Sequence, residues 1–126
     1  MSQSDGLPWS IHVLATDYNK WAKPYAYFIE NGNGDKVVLY SNILTSQEIQ
    51  EAYFVAMCDA IEFINLEKNK PTTINICTPH MCFDINRSTN RKLIELKRKM
   101  LDLLNNYLFE QLPINPMMKS ILNAEI

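Results

Sequence analysis

The sequence predicts one α/β domain in which helices pack on a mixed β-sheet. The chain has 126 residues, which is the length of one domain, since domains commonly contain roughly 100–200 residues. Residues 10–40 contain three strand-like segments separated by turn residues, which indicates an antiparallel meander. Two later segments repeat apolar residues at helical spacing, with a short β-branched segment between them. A meander followed by a helical connection to another strand is typical of a mixed α/β sheet.

The predicted strands follow from alternation and from turn chemistry. Apolar and polar residues alternate over residues 10–18, and residues 25–30 are rich in aromatic and branched side chains, so both segments are expected to be strands. The Asn-Gly-Asn-Gly sequence at residues 31–34 supplies the positive φ angles that a tight hairpin needs. Residues 36–40 are therefore the returning third strand, and the β-branched residues 72–78 form a fourth.

The predicted helices begin at capping residues and end at prolines. Thr45 and Glu48 have the spacing of a capping box, so the first long helix is expected at residues 46–65. A second long helix is predicted over residues 89–112, where leucine and methionine recur at spacings of three and four, and a short last helix over residues 117–123. No fifth strand is expected between these two helices.

Composition excludes several classes of protein. Hydrophobic residues make up 47% and charged residues 21% of the chain, which are globular values, and the net charge of −2 excludes a uniformly basic nucleic-acid coat. An odd number of cysteines, three, favours a reducing intracellular compartment, the cytoplasm or the nucleus. No apolar run is long enough to span a membrane. Residues 1–9 are expected to form a frayed N-terminus and residues 10–126 a single domain.

Over roughly residues 10–112, the motifs of the sequence and their order along the chain resemble those of the ribonuclease H-like family. The alternation of the first strand runs into Thr16 and Asp17, as the family's first strand runs into its catalytic aspartate. Glu51 follows Thr45 by six residues and precedes an alanine-containing apolar helix face, where the family carries a metal-binding glutamate. The resemblance implies a ribonuclease H-like mixed sheet of three antiparallel strands, a helix and a parallel strand, with C-terminal helices.

The departures from the family pattern concern the catalytic carboxylates. Pro79 stands where the family has an aspartate after the fourth strand, and no aspartate occurs beyond the second long helix. Cleavage by two metal ions needs several carboxylates to hold both ions, so the sequence predicts a catalytically inactive module. The alternative is a divergent nuclease in which Asp17 and Glu51 hold Mg²⁺ together with Asp84 or His80.

The candidate metal ligands and the cysteines also have purely structural interpretations. Asp17 also suits a turn, and Glu51 also suits a solvated position in the first helix. Cys77, His80 and Cys82 lie within six positions, but they supply neither the four ligands nor the loop spacings of a zinc site. A buried strand cysteine and a surface histidine are expected instead, and no cofactor is predicted outside the nuclease alternative.

A basic stretch follows the fourth strand. In the ribonuclease H family the helix at this position carries basic residues that contact the nucleic-acid backbone, which implies an RNA or RNA–DNA hybrid partner here. The alternative is a solvated and partly self-paired helix face. The residues expected to contact phosphates are Arg87, Arg91, Lys97 and Arg98.

The apolar set of the second long helix is wider than one packed face needs. A helix that is apolar on more than one side is buried on more than one side, so Leu96, Leu103 and Leu104 are expected at an interface with another copy or with a larger assembly. Trp9 and Trp21 are expected to be half-exposed. A purely structural protein-interaction domain, without a nucleic-acid role, is the third functional interpretation.

Overall fold

The computed structural model describes residues 7–79 and 90–126, and in this part of the chain five strands form one sheet. The α/β class predicted from the sequence is confirmed. The elements in chain order are β1 (Trp9–Ala15), β2 (Ala22–Glu30), β3 (Lys36–Thr45), α1 (Ile49–Asn65), β4 (Thr73–Thr78), α2 (Arg91–Leu103), β5 (Leu108–Pro113) and α3 (Pro116–Ala124).

The sheet has the strand order β3-β2-β1-β4-β5, with β1 at its centre. β1 pairs antiparallel with β2, which pairs antiparallel with β3, so the predicted meander is confirmed. β4 pairs parallel with β1 after the α1 crossover, also as predicted, and Ile11 lies opposite Ile76 in that register. β5 continues the sheet as a parallel partner of β4.

Two apolar layers cover the two faces of the sheet. The main core lies under α1 and α2, where Ile11 and Val13 of β1 meet Met57 and Ile61 of α1. Because side chains alternate along a strand, Leu14, which follows Val13 in β1, points to the other face. There it packs with a smaller cluster formed by residues of β2 and α3, namely Ala26, Phe28, Met118 and Leu122.

The hairpin between β2 and β3 lies at the predicted Asn-Gly-Asn-Gly sequence, but only one of these four residues, Gly34, has a positive φ. The Asn31 side-chain oxygen accepts bonds from the backbone N–H groups of Asn33 and Asp35, at 2.9 and 3.1 Å. Gly34 has a φ of 81°, a conformation that glycine adopts without the steric cost of a Cβ atom. The turn therefore fixes the register of β3 against β2.

The prediction of one helix over residues 89–112 is wrong in its second half, because α2 ends at Leu103 and β5 follows it. Leu104 and Tyr107 are both buried in the main core, and the Tyr107 N–H donates to the Leu104 carbonyl in a tight turn. Their spacing of three residues thus imitates a continuing helix. The expectation that no fifth strand precedes the last helix is wrong for the same reason.

Smaller differences concern three element ends and the burial of one tryptophan. β3 extends to Thr45 because it pairs with β2 along its whole length, and α1 begins only at Ile49. The expected capping box is absent: Glu48 is the N-cap residue without a side-chain cap bond, and the Ser46 hydroxyl accepts the Glu48 N–H instead. Trp9 begins β1 and is buried, against expectation, whereas Trp21 is 55% exposed.

The three leucines expected at an interface occupy the inner side of the α2 region. Leu104 is buried within the chain, and Leu96 and Leu103 pack half-buried against the main core. The outer side of α2 exposes Ile94 and Leu101 instead. None of the helices in the described ranges is long and apolar enough to cross a membrane.

The two sides of α2 differ in what they contribute to stability. Leu104→Ala is expected to lower the free energy of unfolding by about 2–5 kcal/mol, because it empties a site in the core. Leu101 is 43% exposed, so Leu101→Ala is expected to change that free energy by about 0.5 kcal/mol or less in the isolated chain, at dilution where no second copy covers it. Urea denaturation of both variants measures the difference, and equal losses would contradict this packing.

Candidate functional site

Asp17 lies just beyond β1, in the turn that leads to β2, and its carboxylate is paired with a buried lysine. The Lys23 ammonium is 3.1 Å from Asp17 Oδ1. The two side chains differ sharply in environment, since that of Lys23 is 2% exposed and that of Asp17 is 65% exposed. A buried ammonium requires oxygen partners, and this carboxylate supplies one of them.

Backbone carbonyls of the same turn supply the other oxygens. Lys23 Nζ donates to the carbonyl of Asn19 at 2.5 Å and to that of Lys20 at 3.1 Å. The Asn19 side chain in turn accepts the backbone N–H groups of Trp21 and Ala22, each at 2.8 Å. The turn between β1 and β2 is therefore organised around one ammonium group and one amide side chain.

Glu51 is buried in the first turn of α1 and is bonded to the start of α2. Its Oε1 lies 3.3 Å from the Lys92 ammonium, and its Oε2 accepts from the Asn90 side-chain amide at 3.2 Å. The oxygen of the same Asn90 amide caps α2 by accepting the N–H groups of Lys92 and Leu93. Glu51 thus joins the two helices through a charged and a neutral donor.

The described residues do not fit the two-metal centre that a ribonuclease H-like fold implies. Each of the two carboxylates has an ammonium group as its neighbour, and Pro79 has no side-chain oxygen to add. Within residues 7–79 and 90–126, no three His, Cys, Asp or Glu side chains are grouped so as to hold a metal ion. His80 and Asp84, the further ligands of the nuclease alternative, lie outside the described residues.

Cys77 is a buried thiol on the sheet face that α3 covers. Burial, with a smaller contribution from the Glu30 carboxylate, raises the pKa of Cys77 to about 11, so the thiol stays protonated near neutral pH. Glu30 itself bonds to His12 on β1, with Nε2 and Oε1 2.6 Å apart. Cys82, which the sequence places near Cys77, lies outside the described residues.

The basic surface on α2 is smaller than the sequence indicates. Lys92 forms an ion pair with Glu51 of α1 at 3.3 Å, and Lys99 forms one with Glu62 of α1 at 3.1 Å. Arg91 and Arg98 are exposed and lie seven positions apart, which places them on the same side of the helix. Lys97 is half-buried. Arg87, the fourth residue expected to contact phosphates, lies outside the described residues.

Sequence reasoning did not identify the partners of the two carboxylates. Lys23 interrupts the apolar face of β2, where Tyr25 and Tyr27 occupy the next two inward positions. The lysine at an inward position near the start of β2 could have predicted a nearby carboxylate or carbonyl, because a buried ammonium group needs oxygen partners. For Asn90 and Lys92 no comparable signal exists, since their contact with Glu51 joins elements far apart in the chain.

Comparisons with known proteins bear on the fold. No protein-family model matches the sequence, and no curated protein matches it significantly. Among solved structures, ribonuclease H1 from the halophilic archaeon Halobacterium salinarum superimposes with a TM-score of 0.74 at 10% identity, covering 93% of this chain and 92% of that one. The N-terminal RNase H domain of a Mycobacterium tuberculosis protein gives 0.75 at 7% identity, with 94% and 95% coverage.

Two further similar structures contain nucleic acid. LC11-RNase H1, solved in complex with an RNA/DNA hybrid, has a TM-score of 0.75 at 10% identity and covers 92% of this chain and 91% of its own. The foamy viral protease–reverse transcriptase in complex with dsDNA has a TM-score of 0.64 at 13% identity, with 97% and 91% coverage. The chain therefore has the ribonuclease H-like fold, as the resemblance of its sequence implies.

Lys23→Met tests the organisation of the turn between β1 and β2. The substitution keeps a long buried side chain but leaves two carbonyls without their donor, so we expect the free energy of unfolding to fall by about 1–3 kcal/mol. Lys99→Met is the matched control, because it breaks an ion pair whose side chains are both about half-exposed, which is worth about 1 kcal/mol or less. Urea denaturation of a Lys23→Met protein as stable as the parent would contradict this role of Lys23.

Proposed function

We propose that the chain is a ribonuclease H-like module that binds nucleic acid without cleaving it. The observation that carries the proposal is the state of the two remnant carboxylates. Lys23 and Lys92 place an ammonium group beside Asp17 and Glu51 respectively. Metal-dependent phosphodiester cleavage needs carboxylates that hold hard cations, and ammonium groups compete for the same oxygens.

Support for a nucleic-acid ligand comes from the similar structures and from α2. LC11-RNase H1 is bound to an RNA/DNA hybrid and the foamy viral enzyme to dsDNA in their structures. In this chain the exposed Arg91 and Arg98 offer guanidinium groups on one side of α2, and guanidinium matches phosphate oxygens in geometry and charge. The proposed ligand is RNA or an RNA–DNA hybrid, contacted through its backbone.

Electrostatics limits the strength of this binding. The net charge of −2 gives no long-range attraction for a polyanion, and the pairing of Lys92 and Lys99 with α1 removes two charges from the surface of α2. Binding through the exposed Arg91 and Arg98 is expected to fall as salt rises and to depend little on base sequence. An intracellular location, in the cytoplasm or the nucleus, belongs to the same proposal and is supported by the odd number of cysteines.

Self-association through α2 is the further part of the proposed function. Leu104 is buried inside the chain, so an interface between copies would use the half-buried Leu96 and Leu103 or the exposed Ile94 and Leu101. Ile94 and Leu101 form an apolar surface that a second copy would cover. Arg91 and Arg98 lie on the same outer side of α2, so self-association and nucleic-acid binding through this surface exclude one another.

The test of the proposed function measures binding and cleavage on the same labelled RNA–DNA hybrid. At low salt in Mg²⁺ we expect the fluorescence anisotropy to rise as the protein is added, while the hybrid stays intact on a denaturing gel. Replacing both Arg91 and Arg98 by alanine is expected to weaken binding and to reduce the slope of log affinity against log salt by about one to two.

A matched control distinguishes the effect of losing the α2 arginines from the effect of lowering the net charge. Lys36 and Lys119 are exposed and lie outside α2, and replacing both by alanine also lowers the net charge by two. This double variant is expected to bind nearly as well as the parent protein. Absence of binding at low salt, equal weakening by the two double variants, or cleavage that disappears in Asp17→Asn would each overturn the proposal.

Self-association is tested by light scattering over a series of protein concentrations. A dimer that dissociates on dilution is expected for the parent protein, and Leu101→Glu is expected to shift it to monomer, because the new charge would be buried in the interface. Lys119→Glu, on α3, is the matched control. A monomer at every concentration contradicts this part of the proposed function.

A further inference from the structure

A cleft lies on the side of the sheet away from α1 and α2, and neither the carboxylate site nor α2 uses it. It has a volume of about 560 Å³ and is bounded by the end of β1, the middle of β3 and the end of α3. This volume is within the range of roughly 300–1,000 Å³ that is usual for ligand clefts. Its walls include Thr16, Tyr18, Pro24, Ile43, Glu125 and Ile126.

The walls of the cleft are largely apolar and are left uncovered. Tyr18 is 77% exposed and Ile43 is 63% exposed. Tyr18 also belongs to the turn that Lys23 and Asn19 hold in place by their hydrogen bonds. The backbone next to Tyr18 is therefore ordered before a ligand binds, which lowers the entropic cost of using this aromatic side chain as an interface anchor.

The electrostatic character of the cleft is negative. Glu125 is the one charged side chain among the described residues that line it. Glu125 is also the C-cap of α3, and the last turn of that helix contains no basic residue. The C-terminal end of a helix favours cations, so the carboxylate and the helix end attract the same kind of group.

We propose that this cleft binds an arginine side chain of a partner protein. The aliphatic part of the side chain would lie along Pro24, Ile43 and Ile126, the guanidinium would pair with the Glu125 carboxylate, and the Tyr18 ring would stack on its plane. Guanidinium fits this combination because it is planar, accepts stacking and bonds a carboxylate through two N–H groups.

The same features disfavour nucleic acid at this position. A nucleobase arrives with its phosphate, and a phosphate near Glu125 and the end of α3 would be repelled by both. The basic residues of α2 lie on the opposite face of the sheet. The protein therefore presents two surfaces of different sign, and binding at the cleft does not rest on the proposed nucleic-acid function.

The test is a titration of isotope-labelled protein followed through its amide resonances, with three small probes. N-acetyl-arginine methylamide is expected to shift the resonances of cleft residues saturably in the millimolar range. N-acetyl-citrulline methylamide has nearly the same shape without the charge, and we expect it to bind at least about tenfold more weakly, since a hydrogen bond to a charged partner is lost. Cytidine is the third probe and represents a nucleobase.

Two variants locate the binding. Glu125→Gln is expected to reduce arginine binding to the citrulline level, and Tyr18→Leu is expected to weaken both amino-acid probes. Glu110→Gln is the matched control, because Glu110 is an exposed carboxylate on β5 outside the cleft. No saturable shift with the arginine probe, equal effects of Glu110→Gln and Glu125→Gln, or cytidine binding that exceeds arginine binding would each overturn the proposal.

Discussion

β1 is bonded on both sides, and the placement of every other element depends on this. It pairs antiparallel with β2 on one side and parallel with β4 on the other, so both of its edges are hydrogen-bonded. Because successive side chains of a strand alternate between faces, the same registers send Ile11 and Val13 under α1 and α2, and Leu14 under α3. A shift of one residue would exchange the two faces. The end of β1 also carries the chain into the turn that contains Asp17.

Buried charge explains why this turn and the two long helices have their positions. Lys23 lies inside the protein because three oxygens surround its ammonium group, and two of them are backbone carbonyls of the turn. Glu51 lies inside because Asn90 and Lys92 reach it from the start of α2. Removing one partner of a buried charge costs more than the pair contributes, so these contacts act as constraints on geometry. They fix the positions of Asp17 and Glu51, the two carboxylates for which the resemblance of the sequence implies a metal-binding role.

The protein divides its charge between the two faces of the sheet. α1 and α2 share one face, and acidic residues of α1 neutralise Lys92 and Lys99, so the guanidinium groups of Arg91 and Arg98 remain on the outer side. The other face carries α3, whose end adds a carboxylate to an apolar cleft. The two surfaces differ in sign and polarity, and the two proposals assign them to different ligands, a polyanion and an arginine side chain of a partner protein.

The sequence by itself determined the meander, the α1 crossover and the parallel strand β4, because alternation, the Asn-Gly turn and helical periodicity are local signals. The ribonuclease H-like fold was implied by a resemblance of the sequence to that family. Pro79 has no side-chain oxygen at the position where that resemblance implies an aspartate. The tertiary structure decided the rest. The apolar residues keep their helical spacing through Leu104 and Tyr107, although α2 ends at Leu103. The reason is that a turn can bury two residues three positions apart in the same core. The contacts of Lys23 with Asp17 and of Lys92 with Glu51 depend on how turns and helices meet in space, which no local pattern of residues specifies.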